Sequence, residues 1–276
     1  MRKYIFLLFI GLGLALAGPA LAQEAIDDFS VTINVNADAS LDISESITYD
    51  FGTGQKSGFS RDIPFKYKTR GKSYNLKLTD FSVTNRAGEA FAFVIKEKDG
   101  YKNITIGDRA GYVTGEITYI ISYRAKGAIK RGSDQDELYW DVTGSKWAVP
   151  IRQSRASIVF PASSKEESTR AECFAGPAGD GGKCVSYRYQ YSGQGQVSGL
   201  VFTDDYLEPG SGLTVAAGFS KGVIKARSWL SIIFAFIINK WMRVLVIFVF
   251  GGYIFYRNRL KILAKKTLII NRIFKH

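Results

Sequence analysis

Apolar and polar residues alternate with a period of two through most of the chain, the rhythm of strands with one face buried. Phe29, Val31, Ile33 and Val35 alternate, and after a polar NADAS turn so do Leu41 and Ile43, then Ile47, Tyr49 and Phe51. The pattern returns at Tyr74-Leu76-Leu78, Phe91-Phe93-Ile95, Ile117-Tyr119-Ile121-Tyr123, Ala156-Ile158-Phe160, Val185-Tyr187-Tyr189-Tyr191 and Leu213-Val215-Ala217-Phe219. Turns rich in Gly, Asn, Asp and Ser separate these runs, and helical periodicity is nearly absent before residue 226. The spacing predicts an all-β protein of sandwich or barrel type. A β region of about 200 residues exceeds one ordinary sandwich, so two consecutive β-sandwich-like domains are expected, at 23–126 and 127–226. The stretch RAKGAIKRGSDQ, with two glycines and no alternation, marks the expected boundary.

The densest aromatic stretch, ELYWDVTGSKWAVPI at 137–151, holds two of the four tryptophans. Leu138, Trp140 and Val142 alternate with polar neighbours, and Trp147, Val149 and Ile151 do so after a break. Folding the chain over Thr143-Gly144-Ser145-Lys146 predicts a hairpin with all six side chains on one face. The stretch therefore reads as core rather than as a ligand groove, because large aromatics supply much of the burial in a modest core. Pro150 cannot donate to a ladder and puts the second strand at an edge.

One residue breaks the alternation. In LDISESITYDF the face that carries Leu41, Ile43, Ile47, Tyr49 and Phe51 also carries Glu45. An inward carboxylate is costly unless paired. The segment SGFSRDIPF offers Arg61, on a Gly-led and Pro-closed turn, as the partner; the alternative is a Glu45 at a strand end in water.

The chain ends read differently. Basic Met1-Arg2-Lys3, an apolar run from Tyr4 to Ala17 and the small-residue site Ala20-Leu21-Ala22 predict a secretory signal peptide over 1–22. Trp229 to Tyr256 is long and apolar enough for one transmembrane helix, with Trp229 and Tyr256 suited to the interfaces. The tail 257–276 carries seven Lys+Arg and no acid, so the positive-inside rule puts it in the cytoplasm and the body outside, on a single-pass protein of the cytoplasmic (inner) membrane. Asn239, Lys240 and Arg243 interrupt the span and form one polar stripe on a helix. The stripe either snorkels to the outer interface or, where the span begins near Ile232, contacts another membrane protein or a second copy.

A formal charge of +12 invites a nucleic-acid partner until its distribution is read. Of 37 Lys+Arg, twelve lie outside residues 23–226, and the remaining 25 face all 25 Asp+Glu of the chain. The exported body is neutral, and no nucleic-acid partner is expected. Cys173 and Cys184 bracket the Gly-rich FAGPAGDGGK, and in an oxidising compartment one local disulfide is expected. A metal site would need further ligands, and the sole histidine, His276, lies in the tail. No cofactor is expected. GPAGDGGKC does not satisfy a phosphate loop, since Pro177 replaces the first Gly and Cys184 the Ser/Thr. The acidic groups Asp134-Asp136-Glu137 and Asp204-Asp205 read as solvated turns, with glycoside hydrolysis or calcium binding the sharper alternatives.

Together GFSRDIP (58–64), LYWDVTG (138–144), the two-cysteine loop and LEPGSGLTVAAGFSKGVI (207–224) before a membrane span resemble a known family. It is the group of uncharacterised bacterial and archaeal membrane proteins called domain of unknown function 2207. The resemblance covers roughly residues 26–224 and implies a β-rich extracytoplasmic domain tethered to the membrane; members often carry further spans. It supplies no activity and no catalytic residue. The expected function is a non-enzymatic interaction or sensing module of the cell envelope, the alternative being a cell-wall glycan hydrolase acting through paired carboxylates.

Overall fold

The computed structural model describes residues 23–69, 71–107, 111–179, 181–225 and 248–259. The expected signal peptide at 1–22, the stripe Asn239, Lys240 and Arg243, and most of the expected span and tail lie outside them. Residues 248–259 are helical. Among the described residues no helix is long and apolar enough to cross a membrane.

The described residues up to Lys225 form one compact unit built almost wholly of strands. In chain order these are β1 (Ala25–Val35), β2 (Leu41–Asp50), β3 (Phe59–Pro64), β4 (Lys66–Thr69), β5 (Lys72–Asn75), β6 (Lys77–Thr84), β7 (Phe93–Lys98), β8 (Tyr101–Ile106) and β9 (Glu116–Lys126). They continue with β10 (Ile129–Arg131), β11 (Gln135–Asp141), β12 (Ser154–Lys165), β13 (Arg170–Pro177), β14 (Gly182–Lys183), β15 (Ser186–Gly193), β16 (Gln196–Asp204) and β17 (Ser211–Ser220).

A seven-stranded sheet runs β15-β16-β12-β1-β2-β9-β6. Its inner face carries the residues that the alternation marks as apolar, among them Phe29, Ile33, Ile43, Ile47, Tyr119 and Ile158, all buried. Its other face carries the intervening Ser30, Thr32, Asn34, Ser44 and Ser46, which are part or fully exposed. Two smaller sheets, β10-β11-β17-β13-β14 and β3-β8-β7, share one hydrophobic core with it. Phe160 of β12 meets Phe219 of β17 with ring centroids 5.1 Å apart, and Tyr49 of β2 stacks on Phe59 of β3 at 5.2 Å.

This connectivity corrects the expected pair of sandwiches divided at residue 126/127. β1 lies between β2, which it pairs antiparallel, and β12, which it pairs in parallel over Phe29↔Ser154 to Asn34↔Val159. A strand from each side of the expected boundary thus shares one ladder, and one core serves both. The compact unit is a single interlocked sandwich, because β1 has a hydrogen-bonding edge on each side and fills the second one from far along the chain.

The hairpin expected at 138–151 is corrected as well. β11 pairs with β10 on one side and β17 on the other, with Trp140 opposite Val215 and Leu138 opposite Ala217. Residues 147–150 form no strand, and Ile151 makes isolated bridges to Ile26 and Leu207. The core reading of the stretch stands: Leu138, Trp140, Val142, Trp147 and Ile151 are buried, and Val149 packs against them half-buried. Likewise GFSRDIP is a strand, β3, rather than a turn, paired with β8 from Phe59↔Ile106 to Pro64↔Tyr101.

Cys173 on β13 and Cys184 after β14 are joined by a disulfide, with Cα atoms 5.5 Å apart. The bond closes the open end of the β13–β14 ladder, next to the pair Phe174↔Lys183. Restricting so short a loop in the unfolded chain stabilises the fold by about 2–3 kcal/mol. Cys173→Ser together with Cys184→Ser is expected to lower unfolding stability by that amount. Two titratable thiols in the unreduced, denatured protein would contradict the pairing.

Candidate functional site

Glu45 projects from β2 into the core because the strand period puts it there. Arg61 meets it from β3. The two side chains are 0% and 1% exposed, the most polar pair in the interior. Arg61 Nε donates to Glu45 Oε2 at 2.8 Å and Nη2 to Oε1 at 3.1 Å, a bidentate fork. The hydroxyl of Tyr123, on β9, donates to Glu45 Oε1 at 2.7 Å. The remaining Arg61 hydrogens go to backbone: Nη2 to Val142 O at 2.9 Å, Nη1 to Thr143 O at 2.6 Å and to Asp62 O at 3.0 Å. Phe29 of β1 covers the guanidinium, its ring centroid 5.3 Å from Cζ. All five donors of the guanidinium are therefore used.

These bonds explain why the chain after β11 does not turn back as a hairpin. The carbonyls of Val142 and Thr143, which a hairpin partner would have engaged, are held by Arg61. The Val142 and Thr143 amides both donate to Leu213 O, and Trp147 Nε1 donates to Thr143 O at 2.7 Å. The loop coils instead of extending. Gly144 sits at φ +71°, and a Cβ there would lie 2.7 Å from Arg61 Nη1. Gly212 opposite is just as constrained, since its Cβ would stand 2.6 Å from Gly144 O. Only glycine allows this approach of loop, strand and guanidinium.

Asp141, the last residue of β11, lines a cleft of about 370 Å³. Its walls come from segments far apart in the chain: Pro64 and Tyr67 from β3 and β4, Tyr101 from β8, Tyr139 from β11, and Phe174 to Gly179 from the disulfide-closed loop. Asp141 Oδ1 accepts the Gly144 amide at 2.9 Å. Burial pushes the Asp141 carboxyl up, against the pull of Arg61 and the Gly144 amide, and the charge of Glu45 adds to the rise. Burial also lowers the Arg61 guanidinium, but Glu45 more than offsets this, so it is held above its ordinary value. Tyr123 is raised well above the ordinary phenol range, by burial first and then by Glu45. It stays a donor at any physiological pH. At the rim, Lys146 Nζ stands 3.4 Å from the Tyr101 ring centroid and 3.6 Å from Asp62 Oδ2.

The acidic groups singled out from sequence go elsewhere. Asp136 is buried and bonded to Lys221 at 2.6 Å, while Asp204 accepts the amides of Val185 and Tyr206. Among the described residues no group of three or more His, Cys, Asp and Glu is placed to hold a metal ion. Glu45 and Arg61 were visible as a broken alternation. Asp141 was not, since on β11 it reads as an ordinary outward residue. Tyr67 and Tyr101 carried no signal at all.

The fold is an all-β body in which a buried ion pair holds the loop after β11, beside a recess lined by Tyr67, Tyr101 and Tyr139. The chain belongs to the family described as the N-terminal domain of a predicted membrane protein (DUF2207), whose model matches residues 25–219. It is 31% identical over 161 residues to the uncharacterized protein YciQ of Escherichia coli, across 57% of this chain and 25% of that one, so the match spans a quarter of that relative's length. Among solved structures it is similar to an M1 zinc metallopeptidase from Deinococcus radiodurans, with TM-score 0.39, 12% identity, 71% of this chain and 43% of that one. It is also similar to leukotriene A4 hydrolase from Saccharomyces cerevisiae, with TM-score 0.40, 9% identity, 75% of this chain and 33% of that one. Scores of this size establish neither a common site nor an activity.

Two outcomes are expected. Glu45→Ala leaves a buried guanidinium without its counter-ion and should destabilise by about 3–5 kcal/mol; a double-mutant cycle with Arg61→Met that shows no coupling would overturn the pairing. Asp141→Asn should stabilise the protein at neutral pH. A carboxyl raised by folding lowers stability once pH exceeds its folded value, and that loss is absent below the ordinary carboxylate range where both states are protonated. The gain in Tm should accordingly shrink towards acid pH, and a pH-independent effect would show that ionisation is not its cause.

Proposed function

We propose that this protein is a membrane-tethered, non-enzymatic recognition module of the cell envelope, and that the cleft lined by Tyr67, Tyr101, Tyr139 and Asp141 is its binding surface. One observation carries the reading. Five chain segments converge on a recess whose lining includes one carboxylate, Asp141, with a single amide partner. A concave recess lined by aromatic side chains and one carboxylate with an open oxygen is the usual form of a small-ligand site.

The paired-carboxylate glycan hydrolase is the less supported reading. It needs two carboxyl groups across one cleft. Glu45 is engaged by Arg61 and Tyr123, Asp136 is paired with Lys221, and Asp204 accepts the amides of Val185 and Tyr206.

In the proposed topology the body is extracytoplasmic, residues 229–256 span the cytoplasmic membrane once, and the tail 257–276 faces the cytoplasm. The leader pattern, the acid-free tail, the disulfide and membership of a family of predicted membrane proteins support it. The stripe Asn239, Lys240 and Arg243 is proposed to meet another membrane protein or a second copy, because an ionisable side chain at membrane depth requires a partner.

Protease added to intact spheroplasts should digest residues 23–226 and spare an epitope at His276, and cross-linked species should disappear when Lys240 and Arg243 are both replaced by Leu. Purified peptidoglycan incubated with the full-length protein should stay intact. Release of soluble fragments that depends on Asp141 would make the protein a hydrolase instead.

A further inference from the structure

We infer that the cleft binds a cation bearing N–H donors, a primary ammonium group, with Asp141 as its counter-ion. This rests on the cleft being a recognition site and adds the chemistry of what it recognises.

The first argument is a charge count. Glu45 and Asp141 contribute two carboxylates to this interior cluster, and Arg61 contributes one guanidinium. The second argument is geometric. Arg61 spends two of its five N–H donors on Glu45 and three on the carbonyls of Asp62, Val142 and Thr143. None is left for Asp141, although Arg61 is close enough to act on its charge. Oδ1 of Asp141 takes the Gly144 amide, and Oδ2 has no donor among the described residues. A part-buried carboxylate with an open oxygen and a nearby cation already committed calls for a second cation that brings its own hydrogens.

The walls suit the same guest. Aromatic faces attract cations through their quadrupole, and the cleft presents Tyr67 and Tyr101 beside Asp141. The rim already shows the interaction at work, since the ammonium of Lys146 lies over Tyr101. That lysine does not cancel Asp141, because its carboxylate partner is Asp62. An anionic ligand would meet Asp141 directly and is disfavoured. A neutral polyol could donate to Oδ2 but would leave the excess negative charge in place.

The charged and titratable groups facing Asp141 are Glu45 from β2, Arg61 from β3, Tyr67 from β4, Tyr101 from β8, and Tyr139 and Lys146 on its own segment. Asp141 itself is raised by burial, and its protonation removes the charge that the ligand needs. Binding is therefore full when Asp141 is ionised and weakens as pH falls through its raised value, earlier than for an exposed aspartate.

The test uses the full-length protein in detergent micelles and two probes of similar length, 1,5-diaminopentane and 1,5-pentanediol, followed by calorimetric titration at pH 7.5. The diamine should bind saturably and at least about tenfold more tightly than the diol, as expected for a charge-assisted contact. Asp141→Asn, with its circular dichroism unchanged, should weaken the diamine at least about tenfold and leave the diol unaffected. Equal affinities for the two probes, or an unchanged diamine affinity in Asp141→Asn, would overturn the inference. Should Asp141→Asn not fold, the pH profile of the unsubstituted protein decides: diamine affinity that does not fall on acidification also overturns it. Diol binding that depends on Tyr101 but not on Asp141 would overturn the ammonium assignment and leave the cleft a recognition site. Peptidoglycan fragments released in the hydrolysis assay would instead overturn the recognition reading itself.

Discussion

The guanidinium of Arg61 is the constraint on which the rest of the structure depends. It sits where three sheets meet, wholly removed from water, and each of its hydrogens has an assigned acceptor. Lysine could not replace it, having three donors around one point instead of five in a planar fork. Nor is the pair a device for raw stability. Removing two ions from water costs several kcal/mol each, and apolar side chains of similar volume often hold a core together as well. What apolar residues cannot do is grip two consecutive carbonyls. By holding Val142 O and Thr143 O, Arg61 stops β11 from continuing into a hairpin and bends the chain into the coil that follows Asp141.

From that coil the cleft follows. Gly144 and Gly212 are needed because loop and strand approach within contact of the guanidinium and of each other. The disulfide closes the opposite wall, so Phe174 and Pro177 face the recess from a constrained loop. The outer face of the seven-stranded sheet, with its Ser and Thr rows, asks for no such explanation. It is the solvated side of an antiparallel and mixed sheet. Charge that must be accounted for is confined to the inner side.

Much of the fold was legible because strands obey a local rule. The alternations at 29–35, 41–49, 119–123, 156–160 and 213–219 all lie on strands with the expected face buried. Glu45 was legible for the same reason, as the exception on an otherwise apolar face, and Arg61 as the one cation in the nearby Gly-to-Pro segment. Non-local pairing was not legible. Trp140 lies opposite Val215, and Ile33 opposite Ile158, pairings with no signature in either segment alone. A two-domain division and a local hairpin were the natural local readings, and both failed where a distant strand competed for the same edge. The cleft was hidden for a deeper reason. Tyr67, Tyr101, Tyr139 and Asp141 are each unremarkable in their own strands and acquire a role only through the loop that Arg61 bends.

Sequences that specify one fold tend to satisfy every local rule, and departures collect where function requires them. Here the departures sit together: an inward glutamate, a buried arginine, a left-handed glycine against that arginine, and an aspartate raised by burial with one open oxygen. The first three are mutually satisfied and leave no residual cost in hydrogen bonds. The fourth is not. Its burden falls on the empty protein at neutral pH and would be lifted by any guest that neutralises Asp141. Whatever binds the folded form and not the unfolded chain raises stability by mass action. A guest that neutralises Asp141 would therefore stabilise the folded body through the Asp141–Gly144 contact and the β11–β17 ladder beside it.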